Sequence, residues 1–109
     1  MHWLWIVSYF WGGAFLANAI PHSVSGLMGQ AFQSPFAKPP GKGRSSATVN
    51  VLWGFLNLVV SYLLIFEVGV FELKKPADII PLGVGFLLSA LMLARHFGRF
   101  HGGNLAQRR

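Results

Sequence analysis

Residues 47–66, ATVNVLWGFLNLVVSYLLIF, contain no charged side chain. Within them Ala47, Asn50, Gly54, Asn57 and Ser61 follow one another at spacings of 3, 4, 3 and 4, which on a helix puts all five on one face. The opposite positions, among them Val51, Leu52, Phe55, Val59, Tyr62 and Leu63, are large and apolar. A helix with an apolar back and a front of small residues and amides belongs in lipid, with its front packed on other helices. No hydrophobic force joins helices there, so close backbone approach and interhelical hydrogen bonds must do so.

Two other stretches, Trp3 to Ile20 and Ile79 to Ala94, are also free of Lys, Arg, Asp and Glu. At a rise of ~1.5 Å per residue, each crosses a hydrocarbon layer of ~30 Å alone or with its flanking residues. With 53% hydrophobic and 11% charged residues, the chain has too little polar surface for a soluble domain. The expected fold is an all-α membrane protein. Residues 1–109 form one domain of three transmembrane helices over about 3–20, 47–66 and 79–97, an up-down-up bundle with an amphipathic cytoplasmic loop between the first two. The first span has no Lys or Arg ahead of it and no small-x-small pattern between Asn18 and His22, so it is expected to stay as a membrane helix rather than be cleaved as a signal peptide.

Orientation follows from the basic residues. Lys38, Lys42, Arg44, Arg95, Arg99, Arg108 and Arg109 fall on one side of a three-span chain, and Lys74 and Lys75 on the other with Glu67, Glu72 and Asp78. Positively charged segments resist translocation, so the expected setting is a bacterial-type inner membrane with the N-terminus outside and the C-terminus cytoplasmic. The net charge of +6 then points to anionic lipid headgroups, with Lys38, Lys42, Arg44 and Arg99 as contacts, and not to nucleic acid.

Along the chain, Ser8 with Gly12, Gly13 with Ala17, Gly85 with Ser89 and Ala90 with Ala94 are small residues four apart, suited to close helix packing. Pro21 is expected to bend or end the first helix. The loop from Ser23 to Ser46 is rich in Gly and Pro, yet Val24, Leu27, Met28, Phe32 and Phe36 make its first half apolar. That suits a segment resting on the membrane surface or tucked against the bundle. Ser45 and Ser46 are N-cap candidates for the second helix, and Asp78 for the third, while Val68 to Phe71 can extend the second and Gly102 and Gly103 stop the third.

Polar side chains capable of chemistry gather at one level. Asn18 and His22 end the first span, Asn50 begins the second, and Arg95, His96 and His101 end the third. Asn18, His22, Asn50, Arg95 and His96 form the candidate ligand cluster, and Ala47, Asn50, Gly54, Asn57 and Ser61 the packing stripe. Cysteine is absent, which removes disulfides, thiolate metal sites and cysteine nucleophiles. No catalytic carboxylate lies within a span and no Ser, His and Asp arrangement is evident, so an enzyme is not indicated and no cofactor is expected. The leading expectation is a helix-packing subunit or scaffold, as a homo-oligomer or with a larger membrane protein. The alternatives are a small oligomeric transporter or channel for a polar or anionic solute, with Asn50, Asn57 and Ser61 lining its path, and a redox or cofactor-binding protein using His22 and His96 as metal or haem ligands.

Overall fold

The computed structural model describes residues 3–103. The expectations for Met1, His2 and the tail Asn104 to Arg109, including Arg108 and Arg109, lie outside the described residues. Three long helices dominate: α1 (Trp3–Leu27), α2 (Ala47–Tyr62), prolonged by a π-helical turn (Leu63–Glu67), and α3 (Pro76–His101). All three are long and apolar enough to cross a membrane. Between α1 and α2 the chain forms a small antiparallel hairpin, β1 (Phe32–Gln33) and β2 (Arg44–Ser45), in which Phe32 faces Ser45 and Gln33 faces Arg44.

The helix α1 is the axis of the molecule. Both α2 and α3 pack along it, whereas they scarcely meet one another. Burial reflects this: 39% of the most apolar window of α1 is buried, against 28% for α2 and 11% for α3. Two different faces of α1 carry the small residues that make this possible. Ser8 and Gly12 face α2, where the Ser8 hydroxyl donates to the Leu64 carbonyl at 2.5 Å and the Ser61 hydroxyl to the Gly12 carbonyl at 2.7 Å. Gly13 faces α3, against the backbone of Leu82 and Phe86, and Gly85 of α3 lies against the backbone of Phe10. A Cβ at either glycine would collide with main-chain atoms, which have no rotamer into which to retreat.

The buried residues of α2 are Asn50, Gly54, Asn57 and Ser61, the small and polar front of the helix. Its start is set by Ser46, whose hydroxyl accepts from the Val49 amide at 3.2 Å. Its end is Glu67, so Val68 to Phe71 do not extend it. At the end of α3, Gly102 adopts a left-handed conformation (φ 69°) and its N–H reaches back to the Gly98 carbonyl.

Two local expectations are corrected. Pro21 does not end α1, which runs on to Leu27. The hydrogen bond lost at Pro21 is outweighed by packing beyond it, where His22 is buried and Gly26 lies against the Ala47 carbonyl and Val51. Asp78 is not the cap of α3. Pro76 takes the first helical position, which suits its fixed φ and missing N–H, so the helix begins earlier and Lys75 is its N-cap. Asp78 instead accepts from the Glu72 amide at 2.9 Å and braces the turn that leads into α3.

A paired substitution tests this packing. Gly85→Val should cost about 1–3 kcal/mol in reversible unfolding from mixed micelles. Gly83→Ala, at a position with nothing within 4 Å of the added Cβ, should leave stability unchanged or raise it by up to about 1 kcal/mol.

Candidate functional site

The end of the bundle that carries the hairpin holds most of the polar side chains singled out in the sequence, built around Asn50. Its Nδ2 is surrounded by three carbonyl oxygens, those of Phe32 and Ser45 at 3.2 Å and Ser46 at 3.0 Å. That arrangement turns Oδ1 toward His22, whose Nδ1 lies 2.7 Å away and donates to it. One side chain, itself fully buried, therefore ties α1, α2 and both strands together. The imidazole of His22 is enclosed by the rings of Phe32, Trp53 and Phe97, with centroids 5.5, 6.2 and 5.8 Å away.

The loop is held by its own bonds as well. Ser34 and Ser45 share a hydroxyl contact of 2.5 Å, and the Ser34 carbonyl accepts from Gly41 at 2.8 Å. Gly29 and Gly41 have positive φ of 72° and 73°, which glycine adopts without strain. From α3, His96 Nε2 lies 2.7 Å from the Gly41 carbonyl and His101 Nε2 lies 2.9 Å from Gln33 Oε1, with the His101 ring stacked on Phe32. Through these contacts α3 grips the hairpin although it scarcely meets α2.

Of the expected ligand cluster, the structure brings His22 and Asn50 into direct contact. Asn18 bonds elsewhere: its Nδ2 donates to Asn57 Oδ1 at 3.0 Å, and the Asn57 amide in turn donates to the Trp53 carbonyl at 2.8 Å. His96 is committed to Gly41, and Phe97 stands beside both His22 and His96, with centroids 5.8 and 5.1 Å away. Arg95 is exposed. Among the described residues no group of three or more His, Cys, Asp or Glu side chains is placed to hold a metal ion. Of the packing stripe, Asn50, Gly54, Asn57 and Ser61 are buried and Ala47 is half-buried, so the amides and hydroxyl expected to line a path are taken up within the chain's own seam with α1. Lys38, Lys42, Arg44 and Arg99 are all exposed.

Gln33 and Ser34 are parts of this end to which the sequence alone assigns no role, whereas His101 is among the polar residues expected at this level. Gln33 and Ser34 are almost wholly buried, at 4% and 1% exposure. The signal that marks them is the density of Gly and Pro around polar residues, which indicates a shaped loop but not its partners. Comparison with protein families, with curated proteins and with solved structures gives no match to this chain.

Removing the hub should free the loop. Asn50→Leu leaves three carbonyls and the His22 N–H without their partner, and trypsin cleavage after Lys42 and Arg44 in detergent should accelerate at least tenfold while helix content by circular dichroism holds. Asn57→Leu, which strands the Asn18 amide, should cost about 0.6–1.7 kcal/mol, the range for interhelical hydrogen bonds in membranes, read by unfolding in mixed micelles.

Proposed function

We propose that this chain is a small integral membrane protein that works as a helix-packing subunit or scaffold in a homo- or hetero-oligomeric membrane complex. In this reading it sits up-down-up in a bacterial-type inner membrane, with the N-terminus outside and the hairpin and C-terminus in the cytoplasm. The observation that carries the proposal is a groove of about 560 Å³ along the seam of α1 and α3, lined in part by Ala17, Ala90, Ala94 and Gly98. Small residues let a further helix approach its backbone, which is how helices associate in lipid. The low burial of α3 leaves that helix with most of its surface available to a neighbour.

The charge distribution supports the orientation. Exposed Lys38, Lys42, Arg44 and Arg99 cluster near the hairpin end, where anionic headgroups would hold them. Lys74 and Lys75 at the other end are offset by Glu67, Glu72 and Asp78.

Because the chain has no cysteine, Ala94→Cys introduces a unique one. Native mass determination in detergent should find an assembly larger than one chain, and Ala94→Cys should cross-link to a second copy or to a partner. Ala94→Trp should dissociate the assembly without loss of helix content. A monomer with no co-purifying protein overturns the reading. Orientation is read separately: an enzymatic reporter active only in the cytoplasm should work at the C-terminus and fail at the N-terminus.

A further inference from the structure

Because α2 and α3 pack on α1 and scarcely on each other, a cleft of about 230 Å³ opens between them with α1 as its floor. It lies at mid-helix positions of all three candidate spans, away from the hairpin. Trp11, Ala14 and Phe15 form the apolar part of the floor, Trp53 the α2 wall and Met92 part of the α3 wall. Two polar groups lie in this lining with unused capacity. Asn18 spends one Nδ2 hydrogen on Asn57, and among the described residues its Oδ1 accepts no hydrogen bond. Ser89 on α3 makes none among the described residues, not even to the preceding turn of its own helix.

In a hydrocarbon setting each of these is costly, since no water is at hand to satisfy it. The occupant must therefore bring both an acceptor and a donor, or an oxygen able to act as either, on an otherwise apolar and flat body. Size narrows this further. An apolar cavity of ~150 Å³ holds benzene, so the cleft accommodates a substituted six-membered ring. Aromatic side chains at Trp11, Phe15 and Trp53 suit a ring packed against them, and no charged side chain lines the cleft.

We propose that this cleft binds the ring of a membrane-soluble quinone or quinol. A ring carbonyl accepts from the Ser89 hydroxyl or the free Asn18 N–H, and a quinol hydroxyl donates to Asn18 Oδ1. The tail leaves through the open side of the cleft between α2 and α3. The site shares only Leu93 with the α1–α3 groove and does not depend on the oligomeric reading.

The test is a titration of the protein in lipid nanodiscs with decylubiquinone, read by tryptophan fluorescence. Saturable quenching above the linear background from partitioning is expected. Ser89→Ala removes only a hydroxyl without partners, and should raise the apparent Kd roughly 3- to 10-fold. Ser89→Phe fills the cleft and should abolish the saturable component, with circular dichroism and thermal unfolding reporting whether that variant folds. If it does not, the Ser89→Ala shift decides alone. Quenching that is linear in quinone, or saturable but equal in the wild type and Ser89→Ala, overturns the proposal. So does a wild type without saturable quenching whose oligomer Ser89→Phe dissociates, which assigns the cleft to a second copy.

Discussion

The close approach of α1 to two partners at once is the constraint on which the rest of the structure depends. In lipid, apolar side chains gain little from leaving their surroundings, so contact must come from atoms that fit closely and from polar groups that would otherwise go unpaired. The helix α1 meets that need on two faces. Toward α2 it offers hydroxyl, carbonyl, amide and imidazole partners in turn, at Ser8, Gly12, Asn18 and His22. Toward α3 it offers bare backbone at Gly13, answered by Gly85. The first seam is specified by hydrogen bonds, the second by shape.

That difference explains how the hairpin is held. The α1–α2 seam ends at His22 and Asn50, and Asn50 passes the restraint on to the carbonyls of Phe32, Ser45 and Ser46. Among the described residues the α1–α3 seam has no such chain of bonds, and α3 reaches the hairpin through His96 and His101, either side of Phe97, whose ring meets His22 of α1. A loop whose strands are two residues each has too little pairing to stand alone. It is ordered because three helices hold it.

These relations differ in how far local sequence reveals them. The face of α2 could be read from spacing because one residue type after another, Asn50, Gly54, Asn57 and Ser61, repeats the helical period, and these are its buried residues. The small pairs of α1 were visible too, but not that Ser8 and Gly12 serve one partner and Gly13 another, since a period marks a face and not what covers it. Pro21 does not end α1 because the rule for proline is local, whereas the packing of His22 and Gly26 that carries the helix past it comes from residues far along the chain. Asn18 shares the end of the first span with His22 in the sequence. Its amide instead meets Asn57, a partner that no spacing within α1 can indicate. The hairpin escaped altogether: strands of two residues are shorter than any alternation can signal.

The same architecture accounts for what is left open. A three-helix bundle in which every pair packs has a closed centre, and its polar groups can all be paired there. Here the central position is held by a helix rather than by a shared core, so α2 and α3 are kept apart. Asn18 on the floor of the cleft and Ser89 on its α3 wall make no hydrogen bond with one another. Closing the cleft would require α3 to swing toward α2, which the contact of Gly13 and Gly85 with opposing backbone resists, since neither has a side chain that can adjust. The opening is thus a consequence of the shape-specified seam, and the Ser89 hydroxyl and the remaining N–H and Oδ1 of Asn18 are where that geometry leaves bonding capacity for something other than the chain itself.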